Sequence, residues 1–211
     1  VTGAPPILPN LGWEGIFLLG SKVGNPETPY SYSKNTGKVS LQKQFRDNIM
    51  GYIAYSEGFN SGGIGSIFTD RLIFFPYEPE TIENTEIGVR ADLADGKVRF
   101  NATYFDSDWL NIQNDGVVRD PNSGVELPTL VRTNVGTANA SGVEVELTVV
   151  PTEALMVNLN LGLLDTGYTY IKPGTSFLDV NTEFEQAPDT TWSVGLQHTA
   201  SLKSGGSLIA L

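Results

Sequence analysis

The stretch Glu83–Phe105, ENTEIGVRADLADGKVRFNATYF, decides how the chain is read. On one side of a central Asp95-Gly96, Thr85, Ile87, Val89, Ala91 and Leu93 alternate with Glu86, Gly88, Arg90 and Asp92. On the other, Val98, Phe100, Ala102 and Tyr104 alternate with Lys97, Arg99, Asn101 and Thr103. Successive side chains of a strand point to opposite faces, so a period of two predicts a strand with one apolar and one polar face. Asp-Gly favours a two-residue turn with both residues at positive φ. The turn sets the register: Leu93 opposite Val98, Asp92 opposite Arg99, Ala91 opposite Phe100. That register places apolar with apolar and acid with base.

The pattern spreads outward. Gly142–Val149 sets Val143, Val145, Leu147 and Val149 against Glu144, Glu146 and Thr148. Ala154–Leu163 sets Leu155, Val157, Leu159, Leu161 and Leu163 against Met156, Asn158, Asn160 and Gly162. Helical periodicity is absent. About eight strands are predicted: Val39–Phe45, Asn48–Glu57, Ile82–Leu93, Lys97–Gln113, Leu130–Val150, Ala154–Ile171, Thr190–Leu202 and Ser207–Leu211. Residues 1–37 are less readable, with a partial strand at Gly15–Leu19 and a loop over Asn25–Gly37. No internal domain boundary is visible.

Connections alternate in length. Short ones fall at Arg46–Asn48, Asp95-Gly96, Pro151–Glu153 and Lys203–Gly206. Long ones fall at Gly58–Ile82, Asn114–Pro128 and Lys172–Asp189. All the short turns then lie at one end of a sheet and all the long loops at the other. Outer-membrane β-barrels are built this way, with short periplasmic turns and long extracellular loops. The apolar faces of Val, Leu, Ile and Ala would meet lipid, with Tyr104 and Trp192 in an aromatic girdle. The polar faces would line a lumen, with Glu86, Arg90, Asp92, Arg99, Glu144 and Glu146 forming a charge network.

Composition narrows the alternatives. The 211 residues carry 13 Lys+Arg against 24 Asp+Glu, a net charge of −11, which speaks against nucleic acid as partner. There is no cysteine and a single histidine, so neither thiolate nor His-rich metal sites can form. No stretch approaches the roughly 18 apolar residues of a membrane helix. Alternating strands reach the membrane without such a run. No basic, apolar signal segment opens the chain, so the signal of an exported parent would lie upstream. No nucleophile–base–orienter set or phosphate loop is visible; no catalytic residue, cofactor or metal is expected, and the protein is not read as an enzyme. Asp106 and Asp108 as metal ligands, and Asp115, Asp120 and Asn122 near Pro121–Gly124, read better as solvated or turn residues. His198 reads as an interfacial polar residue at the turn end. Phe59, Asn60, Phe68, Phe74, Phe75 and Tyr77 make the first long loop aromatic, and they are the candidate ligand contacts.

Three stretches carry a family resemblance. Tyr52–Gly63 reads Y-x-x-Y-S-x-G-F-x-x-G-G. Pro79-Glu80 with Asn84–Gly88, then Phe105, Asp108, Trp109 and Gln113, reads P-E-x-x-x-x-x-E-x-G followed by an aromatic–acidic–Gln strand. Asn134–Ala138 with Gly142–Glu144 reads N-x-G-x-A-x-x-x-G-x-E, ahead of a turn at Pro151. In order and spacing, over residues 38–200, they resemble the C-terminal part of TonB-dependent receptor barrels. The resemblance implies a plugged barrel of about 22 strands, of which residues 1–211 are a part. It lacks the plug domain, the TonB-box segment and the terminal aromatic residue. It implies a bacterial outer-membrane location, contact with lipid, and TonB as partner through the parent's N-terminal region. It implies uptake of a scarce small-molecule or metal-chelate nutrient, a ferric siderophore first, cobalamin or a glycan next. The residues alone leave two other arrangements open: a complete small barrel serving as adhesin or anchor, and a soluble, secreted carbohydrate-binding β-sandwich.

Overall fold

The computed structural model describes residues 32–69, 71–174, 178–180, 182, 184–202 and 205–210, the side chain of Pro128 excepted. The partial strand expected at Gly15–Leu19 and most of the Asn25–Gly37 loop lie outside these residues. Ten strands follow in order: β1 (Lys38–Arg46), β2 (Ile49–Asn60), β3 (Gly63–Phe68), β4 (Leu72–Tyr77), β5 (Glu80–Leu93), β6 (Val98–Arg119), β7 (Glu126–Thr152), β8 (Leu155–Ile171), β9 (Thr190–Ser201) and β10 (Ser207–Ala210). Eight make one antiparallel sheet in the order β1-β2-β5-β6-β7-β8-β9-β10; β3 and β4 form a separate hairpin.

The register read from Asp95-Gly96 is the one found: Leu93 pairs with Val98, Asp92 with Arg99 and Ala91 with Phe100. Asp95 and Gly96 hold φ of 56° and 83°, and Ala94 joins them at 52°. The Lys97 N–H closes the turn on the Ala94 carbonyl at 3.1 Å. Left-handed φ costs an alanine about 1–2 kcal/mol, so the sheet holds Ala94 against its own preference.

Two loop expectations are corrected. The Gly58–Ile82 connection is not irregular: β2 runs on to Asn60, β5 starts at Glu80, and the hairpin β3–β4 fills the interval. Asn114–Pro128 is largely strand, since Asn114↔Thr133, Asp115↔Arg132 and Val117↔Leu130 still pair and the connection shrinks to Asp120–Val125. Bulges hide this continuation. The β6–β7 register shifts between Trp109 and Ile112 and again between Ile112 and Gln113, and β7–β8 shifts between Thr137 and Ala138. Each extra residue breaks the period-two pattern. Asn111, in the first shift, sits at φ 54°, a conformation that asparagine tolerates.

The apolar face is uncovered. Leu41, Ile87, Leu196 and Trp192 keep 71%, 56%, 59% and 74% of their surface exposed. Among the described residues no second sheet lies on that face, as a soluble sandwich requires. Nor do β1 and β10 pair, so these eight strands do not close on themselves as a small barrel. The fully buried large side chains, Ile73 and Val135, both lie at the loop end, where β3–β4 packs on β7.

Three of the motif glycines lie against aromatic side chains, while Gly136 and Gly62 lie first against backbone carbonyls. A Cβ on Gly88 would meet the Tyr52 ring at 2.5 Å, one on Gly63 the Tyr77 hydroxyl at 2.6 Å, and one on Gly142 first the Leu163 carbonyl and then the Phe105 ring at 2.8 Å. Tyr52 lies across Gly88, its strand partner, and its hydroxyl reaches Thr103 Oγ1 on the next strand at 3.0 Å. Such cross-strand cover replaces the packing a glycine lacks. Gly88→Ala in the full-length protein is expected to lower stability by about 1–2 kcal/mol. Adding Tyr52→Ala should recover part of that loss, so a double-mutant cycle by urea unfolding would show coupling. Strict additivity would remove the ring-on-glycine account.

Candidate functional site

Three levels follow along the strands from the short turns upward. From the turns up to the height of Glu86, which pairs with Ala54 and Phe105, the polar face carries the predicted charges. Asp92 Oδ1 accepts from Arg99 Nε at 2.7 Å. The other predicted acids do not reach an arginine. Glu146 accepts from the Asn101 amide at 3.1 Å, and Glu86 accepts from Asn84 at 2.7 Å, whose own oxygen accepts from Ser107 at 2.8 Å. Arg90 stacks over the Tyr52 ring, 5.5 Å from its centroid. Glu144 shares with Arg90, Arg99 and Glu146 an open polar cavity of about 520 Å³. The polar face is therefore cross-linked by amides as much as by ion pairs.

The second level is a ring of aromatics on the apolar face. Tyr55, Tyr104 and Trp192 stand the same distance along their strands, six residues from Ile49, Val98 and, through its partner Leu161, Leu155. At about 3.3 Å per residue this is roughly 20 Å above the turns. Beyond it the same face turns acidic: Glu57, Glu83, Asp106, Asp108 and Asp165 occupy positions of apolar parity. Asp106 and Asp108 share one partner, the Asn139 amide, at 2.7 and 3.0 Å. At the turn end of the apolar face, His198 pairs with Leu155.

The third level is the loop end, where the family motifs meet. Gln113 is buried, and its amide donates to the Ser61 and Glu78 carbonyls at 2.9 and 3.1 Å and accepts from Asn60 at 3.2 Å. Its backbone N–H donates to Glu80 at 2.6 Å. Asn134 donates to the carbonyls of Glu78 and Asn111 and accepts from the Glu78 N–H at 2.7 Å. This knot ties both ends of the β3–β4 hairpin to β6 and β7. At the hairpin's far end Arg71 pairs with Asp120 at 2.5 Å. The Asn122 N–H first, and the Arg71 guanidinium after it, hold the Asp120 carboxyl below its usual range.

The six ligand candidates from the sequence are thereby separated. Asn60 is in the knot. Phe74 is buried under the hairpin, with 8% of its surface exposed, while Phe68 at the tip keeps 75%. Phe59 has the parity of the apolar face and pairs with Thr81. Tyr77 covers Gly63, and Phe75 pairs with Gly65. The structure also gathers residues that had not been singled out as contacts. Trp109, on the polar parity of β6, and Tyr168 of β8 flank Phe184, with centroid separations from it of 5.8 and 5.0 Å. They open on a cavity of about 250 Å³ that Arg132, Asn60 and Glu80 also line. An aromatic at a lumen-parity position was the signal for Trp109; nothing in the sequence places Phe184 beside it.

An antiparallel sheet with a lipid-ready face, an aromatic ring above it and a polar inner face defines a transmembrane β-barrel wall. Residues 18–207 match the family model described as "TonB dependent receptor-like, beta-barrel", and the chain belongs to that family. Its members are bacterial outer-membrane proteins, receptors rather than enzymes. Among solved structures, the chain is similar to the ferric yersiniabactin uptake receptor FyuA of Yersinia pestis (TM-score 0.63, 20% identity, 82% of this chain and 24% of that one). It is similar to BauA, the ferric preacinetobactin receptor of Acinetobacter baumannii (0.58, 21%, 82% and 24%). It is also similar to the pyoverdine receptor FpvA of Pseudomonas aeruginosa (0.52, 19%, 80% and 22%). The chain thus spans about a quarter of the length of these structures. No curated protein sequence matches it.

Two outcomes follow. Arginine at Leu159, on the lipid face, should cost about 2–4 kcal/mol, and at its inward neighbour Asn160 well under half of that; urea titration of the full-length protein in vesicles separates the two. Equal costs would refute the face assignment. Because the folded-state pKa of Asp120 is depressed, its pairing supports the loops above the ordinary aspartate value near 3.9. That support is lost as pH falls through the lower folded value. Hydrogen-exchange protection factors of the β3–β4 and 120–125 segments, corrected for intrinsic rates, should therefore fall below about pH 4, and Asp120→Asn should flatten the dependence.

Proposed function

We propose that this chain is a section of barrel wall in a TonB-dependent transporter that takes up a ferric siderophore across the outer membrane. The three similar solved structures are receptors for ferric yersiniabactin, ferric preacinetobactin and pyoverdine, and this supports the choice of an iron chelate. The observation that carries it is the division of the wall: lipid-facing Val and Leu outside, amides and charges inside, and an aromatic mouth with an arginine at the loop end. Glu86, Arg90, Asp92, Arg99, Glu144 and Glu146 would face the plug or the passing ligand in the lumen. Phe68, the most exposed of the sequence candidates, would meet ligand at the surface. TonB would act through the parent's N-terminal region and supply the energy; the wall itself does no chemistry on its cargo.

The test is transport of radioactive iron by iron-starved cells. Deleting the gene is expected to abolish uptake of at least one ferric siderophore. Restoring the full-length gene should return it, and removing TonB function should abolish it again. Loss of cobalamin or glycan uptake with iron uptake intact would change the substrate and keep the transporter. Unchanged uptake of all three would overturn the proposal.

A further inference from the structure

We infer that the turn end of the lipid face holds a binding site for one anionic phospholipid, its phosphate between Lys43 and Arg46 and an acyl chain in the groove over Gly51. The inference rests on the barrel wall and its outer-membrane setting and does not depend on the cargo.

The site begins with a break in the pattern. Lys43 has the parity of Leu41, and its strand partner is Gly51, two residues from Ile49. It therefore stands on the lipid face, roughly 7 Å above the turns, well below the aromatic ring. A cation costs most at the middle of the hydrocarbon and least at its edges. Lys43 leans toward the nearer edge: its Nζ lies over the ring of Phe45, 5.3 Å from the centroid, and Phe45 is two residues closer to the turn. A long stem along apolar surface with its charge at the interface is the snorkelling geometry. A bulge brings a second cation. The register shifts between Gln44 and Arg46, so that Arg46 sits opposite Ile49 rather than following Gln44 to the polar face. The Gln44 amide donates to the Arg46 carbonyl across the irregularity at 2.6 Å.

Both cations are exposed and, among the described residues, neither makes an ion pair. The acid beside them in the chain, Asp47, lines the polar cavity on the other face, and Asp92 of that cavity is held by Arg99. Above the cations the lipid face is indented, because Gly51 has no side chain. A groove of about 640 Å³ runs over it between Leu41, Ile53, Ile87 and Val89. An acyl chain laid there would lead from the cations into the hydrocarbon. A phosphodiester accepts from an ammonium as a point charge and from a guanidinium through two hydrogen bonds. A zwitterionic headgroup would bring its own ammonium beside Lys43 and Arg46, so a headgroup of net negative charge fits better. The same face also selects the leaflet. Above the aromatic ring it carries Glu57, Glu83, Asp106 and Asp108, which repel anionic headgroups, whereas the two cations address the leaflet at the short turns.

The experiment uses the full-length receptor in detergent, titrated with phosphatidylglycerol or phosphatidylethanolamine of identical chains and read by native mass spectrometry. One phosphatidylglycerol is expected to be retained in preference to phosphatidylethanolamine. That preference should fall about fivefold for each cation replaced, in Lys43→Gln and in Arg46→Gln. The charge-keeping exchanges Lys43→Arg and Arg46→Lys should preserve most of it. Lys97→Gln, at a cation of polar parity beside the next turn, should leave it unchanged. Gel mobility of the unheated barrel shows that each variant folds. Equal retention of the two lipids by the unaltered receptor would overturn the site. So would a preference that survives Lys43→Gln/Arg46→Gln, or one that Lys97→Gln lowers as much, since bulk charge would then account for it. None of these results bears on the uptake of iron, which is scored separately in cells.

Discussion

Hydrocarbon offers no partner for a peptide N–H or C=O, and the fold answers to that single constraint. Antiparallel pairing from β1 to β10 meets it between neighbours, with long regular ladders such as Ile49↔Ala91 to Asn60↔Glu80. Once the backbone is committed to strands, side chains have two destinations. Residues of one parity meet lipid and must be apolar, while residues of the other meet their own interior and can be charged. The exposure of Leu41, Ile87, Leu196 and Trp192 follows from this, because the surrounding bilayer takes the place of a protein core.

Above the aromatic ring the constraint relaxes, and the structure changes at that height. Water can satisfy the backbone there, so bulges become affordable. Three register shifts lie side by side across β6, β7 and β8. They bury Ile112, Val135 and Ala138 together and turn the strands toward the loops. The Gln113–Asn134 knot sits on this line and anchors the β3–β4 hairpin. Among the described residues the buried hydrophobic cluster is thus assembled outside the membrane band, where the hydrophobic effect again operates between side chains.

The motif residues acquire a physical account in the same way. Gly88 leaves room for Tyr52 to lie across the sheet, and Gln113 supplies two donors for the Ser61 and Glu78 carbonyls at the ends of the hairpin and an acceptor for the Asn60 side-chain amide. These roles are architectural. Trp109, Tyr168 and Phe184 pack against the Ile112, Val135 and Ala138 cluster and, with Arg132, also line an open space beside it.

Alternation in the sequence determined the strands, their faces and one register, because a period of two is a local property and Asp95-Gly96 fixes its phase. Turn placement at one end and loops at the other was legible for the same reason. The sequence did not disclose the β3–β4 hairpin or the extension of β6 and β7 past Gln113, since bulges interrupt the period on which strand recognition depends. It paired Asp92 with Arg99 across a tight turn but not Glu146 with Asn101, which lie 45 residues apart. Only the tertiary structure could bring Phe184 against Trp109 and Tyr168 or set Arg132 beside them. Proximity across strands and loops depends on how many residues each bulge adds, and that count is decided by packing rather than by any local pattern.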